Sequence, residues 1–440
     1  MELAHKRVLI IGLGVSGSAA ARGLAARGAS LVMTDQRQDI VRASLPAGDI
    51  YLGAEDPGAL RGVDFVVPSP GVPPSSMLLG AARAAGIPII GELELASRLI
   101  KAPIIAVTGT NGKSTVTTLL GEICKAARLR TFVGGNLGTP LIEAVDGDFD
   151  AVVAEVSSYQ LETIACFKPK VAIHLNLAED HLDRYHDLEE YGAEKARIFE
   201  FQDKGDWAVL NRDDSRVWKI APRVRSRIFS FGLTRPRQTP AVWCADEALA
   251  YDDGVRQGSI GLKEFRLPGA HNRSNAAAAV AAALATGIVP DAIAHALKGF
   301  VGLPHRIELV REKDGVRYID DSKGTNVGAV VEALAAMRAP VVLIAGGIDK
   351  GGSYAPLIEP LRDKVKLLVL IGAARTKIRE AVAHSTTIEC VETLAEAVTI
   401  AARRACGGDT VLLSPACSSF DQFKDYAERG RIFQELVRAL

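Results

Sequence analysis

Ile104-Ile-Ala-Val-Thr-Gly-Thr-Asn-Gly-Lys-Ser-Thr115 is the stretch that decides how this 440-residue chain is read. Its first four residues form a short apolar run that predicts a strand, and a helix is predicted from Lys113. Two glycines stand in the turn between them. Backbone N–H groups of such a loop wrap a polyphosphate, Lys113 brings a point charge to the terminal phosphates, and Ser114 is placed to ligate Mg²⁺. The glycine that the common phosphate-loop pattern puts five residues before Gly112 is Val107 here. Even so, Gly-Lys-Ser-Thr at a strand–helix junction reads as an ATP site.

Working outward, a similar junction stands near the start. Gly12-Leu-Gly14-Val-Ser-Gly17 follows the strand-like run Arg7–Ile11 and opens the helical pattern Ser16–Arg27. Glycines there permit a tight turn and bring helix N-terminal amides to face a phosphate. Asp35 ends the next strand-like run, Leu31–Thr34, where a carboxylate can accept from a ribose hydroxyl or another ring donor. Taken alone this motif says NAD, or nothing more than close strand–helix packing.

Strand and helix patterns alternate along the rest of the chain, which predicts α/β architecture with largely parallel sheets. Phe65–Val67 adds a further strand to a first block, which the stretch Pro68–Pro74 breaks and which closes near Gly91. Ile104–Val107, Ala151–Glu155, Val171–Leu175 and Ala208–Leu210 mark strands of a second block that ends in two alanine-rich helices. Gly299-Phe-Val-Gly-Leu-Pro304 reads as a linker. Tyr318–Ile319, Val341–Ala345, Leu367–Ile371 and Val411–Leu413 then restart the pattern. Three α/β domains are expected, at residues 1–92, 93–302 and 303–440, within the usual domain-size range.

Composition sets limits on partners. With 48% hydrophobic and 24% charged residues the chain reads as an ordinary soluble globular protein. Its 52 basic and 52 acidic side chains cancel, so there is no global charge to attract nucleic acid or a membrane surface. Cys124, Cys166, Cys244, Cys390, Cys406 and Cys417 form no C-x-x-C pair, which predicts reduced thiols in a cytoplasmic protein. The apolar N-terminal stretch is broken by glycines and followed by Arg22 and Arg27, unlike a signal peptide. No segment approaches the roughly 18 apolar residues a membrane span needs, and Ala276–Ala285 reads as a buried helix.

Beyond the loop, further motifs follow one another: Gly134-Gly-Asn-Leu-Gly138, Glu155-Val-Ser-Ser-Tyr-Gln-Leu-Glu162, Glu179-Asp-His-Leu-Asp-Arg184, Lys195 and His271-Asn-Arg-Ser-Asn275. Leu303-Pro-His-Arg306, Asp320-Asp-Ser-Lys-Gly-Thr-Asn326, Gly346-Gly-Ile-Asp-Lys350 and Ser414-Pro-Ala-Cys-Ser-Ser-Phe-Asp-Gln-Phe-Lys424 complete the series. Together with Gly-Thr-Asn-Gly-Lys-Ser-Thr, these resemble the Mur ligase family in content and order across essentially the whole chain. Gly-Leu-Gly-Val-Ser-Gly and Ser69-Pro-Gly71 favour the member that adds D-glutamate, and the Asp-Asn-Pro-Arg signature of the diaminopimelate- or lysine-adding member is absent.

The resemblance implies a Rossmann-like first domain that binds a UDP-sugar rather than NAD, a central P-loop-type Mg-ATPase domain, and a Rossmann-like third domain that binds the amino acid. It implies that a substrate carboxylate attacks the γ-phosphate of ATP and that an amine then displaces phosphate from the acyl phosphate. By resemblance, UDP-N-acetylmuramoyl-L-alanine is expected at Gly14, Val15, Ser16, Asp35, Gln36, Arg37, Ser69, Gly71, Asn136 and Ser157. ATP is expected at Gly109, Thr110, Asn111, Gly112, Lys113, Ser114, Thr115, Asn275, Arg306, Asp321 and Lys323. D-Glutamate is expected at Thr325, Lys350, Ser419 and Tyr426. Two Mg²⁺ ions are expected on Ser114, Glu155, His181 and a carbamylated Lys195, with Lys113, His181 and Lys195 serving catalysis. A cytoplasmic monomer is expected.

Several of these residues have plainer readings. A lone Glu155 at a strand end is usually a solvated charge, and an isolated His181 is usually structural. Lys195, on the helical stretch Leu188–Phe199, reads from its own surroundings as a solvated helix lysine. Asn272 or Asn275 can be a helix N-cap, and Phe420 can be mere packing. Two other functions compete. An NAD-dependent oxidoreductase would use Gly12–Gly17 and Asp35 but leaves the Gly-Lys-Ser-Thr loop idle. A nucleotide-binding switch leaves His181, Lys195 and the third domain without roles.

Overall fold

The computed structural model describes all 440 residues. Strands built from apolar, β-branched runs assemble into three separate sheets, each flanked by helices. The first has four parallel strands in the order Asp49–Leu52, Ser30–Asp35, Arg7–Ile11, Phe65–Pro68. The second has nine. Thr131–Gly135, Ala151–Glu155, Ile104–Thr108, Val171–His174, Trp207–Asn211, Arg227–Gly232 and Ala241–Ala245 run parallel, and Ala248–Asp252 and Gln257–Gly261 fold back antiparallel at one edge. In the third, Glu308–Lys313 lies antiparallel on Val316–Asp320. Thr410–Leu413, Val341–Gly346, Val365–Ile371 and Thr387–Cys390 then continue in parallel.

The parallel strands are buried on both faces, as crossover helices require. The edge strands follow another rule: Gln257–Gly261 is exposed except for Ile260, and it carries glycine and serine instead of an apolar run. That composition hid the antiparallel edge from sequence reading. Helix Ala270–Ala285 is buried at every position from Ala276 to Leu284, as expected of a helix with no polar face. Its methyl side chains let it lie close against helix Lys113–Ala126 and the second sheet.

The apolar cores are not divided three ways. One cluster of 36 buried residues runs from Val8 and Met33 in the first sheet, through Leu141 and Ile142, to Ala106 and Ala154 in the second. The third sheet has its own cores, which contain only residues from Val316 onward. Polar contacts join it to the middle sheet: Asn326 Nδ2 donates to Asn111 Oδ1 (3.0 Å), Lys350 Nζ to Asp180 Oδ1 (3.2 Å), and the Ser353 N–H to Glu179 Oε2 (3.3 Å). The seam between the second and third sheets is therefore a polar cleft. All six cysteines are free thiols, and no helix is long and apolar enough to cross a membrane.

Candidate active site

In parallel sheets, ligands collect at the carboxyl ends of the strands. Strand Ile104–Thr108 lies between Ala151–Glu155 and Val171–His174, so the phosphate-type loop, Glu155 and the segment carrying His181 emerge side by side. Gly112 has φ +83°, and a Cβ there would come within 2.3 Å of Asn275 Oδ1. Glycine is required on both counts. Lys113 Nζ donates to the Gly109 and Thr110 carbonyls (both 2.9 Å) and is half-buried. Thr110 Oγ1 accepts from the Ala178 N–H, and the Asn111 N–H donates to Asn176 Oδ1, which pins the loop to the next strand end. Thr115 is buried on the first helical turn.

Glu155 is no solvated charge. It is buried, accepts from Ser114 Oγ (2.6 Å) and Asn136 Nδ2 (2.7 Å), and lies near Lys113 and Lys323. Burial works to raise its pKa, but the two lysines and two hydrogen bonds outweigh it and hold the carboxyl below its ordinary value. A hydroxyl and an ionised carboxylate in contact form an oxygen donor set suited to Mg²⁺.

His181 sits at φ +58°, with Nδ1 2.8 Å from the Tyr159 hydroxyl and Nε2 3.7 Å from Asp180 Oδ2. Burial pushes its pKa down to about 4, with Lys350, Lys113 and Lys195 adding to that and Asp180 opposing. The imidazole is neutral near pH 7. With the Nδ1 proton given to Tyr159, Nε2 is left as a metal-ligand lone pair.

Lys195 corrects the solvated reading, being 1% exposed. Asp187 caps helix Leu188–Ala196 through the Glu189 and Glu190 N–H groups, and that turn points Tyr191 and Lys195, four residues apart, inward together. Lys195 Nζ donates to Gly109 O (2.9 Å) and lies 4.5 Å from the Tyr191 ring centroid. Burial, with Lys113 nearby, sets its pKa well below the ordinary lysine value. A neutral amine beside His181 is the form that reacts with CO₂, and the resulting carbamate would supply an oxygen donor. Ser114 and Glu155 thus fit an Mg²⁺ ion.

Three clefts open around this centre. One of about 480 Å³ lies on the polar seam and takes in Asn111, Gly112, Asn275, Arg306 and Asp321. It also holds Asn211, Asp213, Arg216 and His271, which sequence reading missed. Asp321 is buried, accepting from Ser414 Oγ (2.7 Å) and the Ile307 N–H (3.3 Å), and burial pushes its pKa up to about 6 against the pull of Arg306. The N-cap reading of Asn272 or Asn275 fails: Gly269 caps that helix, and Asn272 Nδ2 donates to Pro268 O. Lys323 lies outside this cleft. It faces Glu155, with Nζ 3.3 Å from the Tyr426 hydroxyl, and burial lowers its pKa to about 8.

The second cleft, about 310 Å³, joins Thr325 and Lys350 with Glu179, Asp180, Asn326 and Ser353. Lys350 Nζ is 3.5 Å from Thr325 Oγ1. Ser419 and Tyr426 do not line it: Ser419 is buried and Tyr426 packs beside Lys323. The third cleft, about 810 Å³, gathers Gly14, Val15, Ser16, Asp35, Gln36, Arg37, Ser69, Gly71 and Asn136. Ser157 is not in its wall; with Gln160 it forms the capping box of helix Ser158–Leu161. Asp35 is not a free acceptor, because Leu13 N–H, Arg37 N–H and the Arg37 guanidinium already occupy both oxygens. These contacts outweigh burial and bring its pKa down to about 2. Phe420 is 70% exposed and lines this cleft from the third domain, so it is not packing.

A cluster of His305, Glu308 and Asp320 has ligand-like spacing. The Gln434 amide donates to both carboxylates (3.1 and 2.9 Å), so the cluster is a hydrogen-bonded knot that fixes the chain next to Asp321.

A phosphate-type loop whose lysine stands beside a metal-ready carboxylate, with further clefts close by, marks a nucleotide-dependent enzyme. Comparison with known proteins agrees. Residues 6–91 match the Mur ligase MurD-like N-terminal domain, residues 107–283 the Mur ligase middle domain, and residues 305–417 the Mur ligase glutamate ligase domain. The UDP-N-acetylmuramoylalanine–D-glutamate ligase of Geotalea daltonii is 46% identical over 448 residues, covering 100% of this chain and 99% of that protein. Ligases of the same name from Geobacter metallireducens (46%) and Pelotomaculum thermopropionicum (45%) match with the same coverage. Among solved structures, a pseudomurein peptide ligase type C from Methanothermus fervidus shares the fold at TM-score 0.65 and 20% identity, covering 99% of this chain and 100% of that one. The UDP-N-acetylmuramate-alanine ligase of Thermotoga maritima does so at 0.61 and 18%, with equal coverage. The chain belongs to the Mur ligase family, whose members are ATP-dependent amide ligases working with Mg²⁺.

Proposed function

We propose that this chain joins D-glutamate to UDP-N-acetylmuramoyl-L-alanine at the expense of ATP, in the synthesis of peptidoglycan precursors. The observation that carries the reading is the gathering of Lys113, Ser114 and Lys323 about Glu155, between the cleft residues Gly112 and Asn136, in a chain 46% identical end to end to ligases of that name. The domains divide at 1–92 for the UDP-substrate, 93–302 for Mg-ATP and 303–440 for the amino acid.

The terminal carboxylate of the UDP-substrate attacks the γ-phosphorus of ATP, the bond to the β-phosphate oxygen breaks, and ADP leaves. The D-glutamate amine then attacks the acyl carbon, and phosphate departs with the C–O bond. Lys113 and Lys323 hold the charge of the transferring group, and burial strengthens their effect. Asn275, Arg306 and Asp321 bind the nucleoside end of ATP. Thr325 and Lys350 bind the carboxylates of D-glutamate. Mg²⁺, when bound, neutralises phosphate charge and holds the reacting oxygens in line. Ser114 and Glu155 would hold one ion, and His181 with a carbamylated Lys195 a second. The polar seam between the second and third domains lets the domains close on ATP and exclude water from the acyl phosphate. The enzyme works as a cytoplasmic monomer.

A phosphate-release screen tests this, with UDP-N-acetylmuramoyl-L-alanine and ATP offered against a panel of D- and L-amino acids. Release should require D-glutamate. Release with a monocarboxylic or L-amino acid at equal efficiency would refute the assignment.

A further inference from the structure

A fourth cavity, of about 580 Å³, lies in the middle domain outside all three substrate clefts. One wall is the back of helix Leu188–Ala196, where Gly192, Ala193 and Ala196 leave room for an occupant. The opposite wall is the segment from Arg216 to Arg225, which brings Lys219, Arg223 and Arg225 to the rim and Ile220 and Val224 inward. Arg216, Lys219 and Arg223 are exposed and form no ion pair, while Arg225 donates to the Glu200 carbonyl. On the acidic side the rim has Glu189 and Glu200, and Glu200 is paired with Arg197.

His174, at the end of a central strand, forms part of the floor with Leu177. It is 1% exposed, and neither ring nitrogen has a hydrogen-bond partner. Its ring is sealed beneath the cavity floor with both nitrogens unmet. A concave pocket with apolar walls and a few charged groups at its rim is the usual form of a small-molecule site.

We infer that this cavity binds a small amphipathic anion, an aromatic or aliphatic body bearing a carboxylate, phosphate or sulfonate, and that its occupancy is coupled to the active site. The apolar body lies against Leu177, Ile220 and Val224, and the anionic group meets Lys219 and Arg223. The coupling is built into shared walls. Leu177 and Arg216 also line the nucleotide cleft, and Leu188 and Arg216 also line the amino-acid cleft. The other face of the same helix holds Lys195 against Gly109 of the phosphate loop. An occupant that braces or displaces this helix therefore changes the loop's surroundings.

The test uses anilinonaphthalene sulfonate as probe, titrated by fluorescence into the full-length protein saturated with ADP, Mg²⁺, UDP-N-acetylmuramoyl-L-alanine and D-glutamate. One equivalent should bind despite full substrate clefts. Lys219→Glu combined with Arg223→Glu should weaken it at least about tenfold, and so should Ala193→Phe, which fills the cavity from the helix side. Without probe, the double variant should turn over at the wild-type rate, which shows that its fold is intact. In turnover assays the bound probe should change the KM for ATP or D-glutamate at least about threefold in the wild type and not in the double variant. Absence of stoichiometric binding, displacement by the substrates, or equal affinity in the double variant would overturn the site. Unchanged KM values with the site filled would overturn the coupling.

Discussion

Replacing Asp321 by asparagine should make the protein more stable near neutral pH and a poorer binder of ATP. The carboxyl is 2% exposed, and burial raises its pKa from 3.8 to about 6 despite Arg306 and the Ser414 hydroxyl. At pH 7.5 the group is ionised, and the gap between folded and unfolded values costs the folded state about 3 kcal/mol. The folded state holds this proton more tightly than the unfolded chain. The stability it contributes is thus full below about pH 4 and is lost as pH rises through about 6. Asparagine never ionises, so the variant lacks that decline. Its amide can still accept from the Ile307 N–H and donate to Ser414, but Arg306 loses a charged neighbour. We expect a net gain of about 1–2 kcal/mol at pH 7.5, a rise of about 1–2 °C in the unfolding midpoint. Calorimetric scans from pH 4.5 to 8 should show wild type and variant converging at the acid end. Titration of ATP should show the opposite trend, with Kd higher by about tenfold or more as a charge-assisted hydrogen bond is lost. A variant no more stable than wild type at pH 7.5, with the same slope between pH 5 and 7, would refute the reasoning.

Gly112→Ala combines a left-handed backbone with a Cβ 2.3 Å from Asn275 Oδ1, so ATP affinity should fall by about tenfold or more at equilibrium, with thermal stability reduced by about 1–2 kcal/mol. Lys350→Ala should raise the KM for D-glutamate far more than that for ATP, because Lys350 lines the amino-acid cleft and not the nucleotide cleft; equal rises would reassign it. Labelled bicarbonate should give a carbamate ¹³C resonance in the wild type that is missing from Lys195→Ala, which should also lose at least about a hundredfold in kcat. Glu94 is fully buried and accepts from the Ala165 and Cys166 N–H groups, the Cys166 thiol and Arg98, which together outweigh burial and lower its pKa. Its stabilisation is present above about pH 4.5 and is lost as pH falls, so Glu94→Gln should cost about 2–3 kcal/mol at pH 7 and flatten the acid limb of the stability profile.

Where the contributing residues adjoin in the chain, sequence reading reached the site. The phosphate loop was legible from Val107 to Thr115 because one strand end, one turn and one helix start supply all of it, and backbone amides do the binding. Gly14, Val15 and Ser16 were legible for the same reason, and the alternation of elements announced three α/β units. Asn211, Asp213, Arg216 and His271 were not legible, since each is an ordinary polar residue whose role comes only from where its strand or helix ends beside Gly112. Ser157 and Asp35 show the converse. Both carry suggestive side chains, yet local hydrogen bonds within a capping box and a turn already engage them.

By itself, then, the sequence determined most of the parallel strands and their helices, where the polyphosphate loop lies and which family the chain joins, since these follow from local pattern and motif order. Only the tertiary structure decided the electrostatic state of the site. Lys195 sits in Leu188-Glu-Glu-Tyr-Gly-Ala-Glu-Lys-Ala196, a helix with charges on several faces and no apolar stripe to say which way it turns. Docking of Tyr191 and Lys195 beneath the phosphate loop takes that amine out of water, desolvation shifts the proton affinities of His181 and Asp321 as well, and for Glu155 two neighbouring lysines and two hydrogen bonds outweigh it. Desolvation depends on how many atoms from distant segments surround a group, and no local pattern encodes that number.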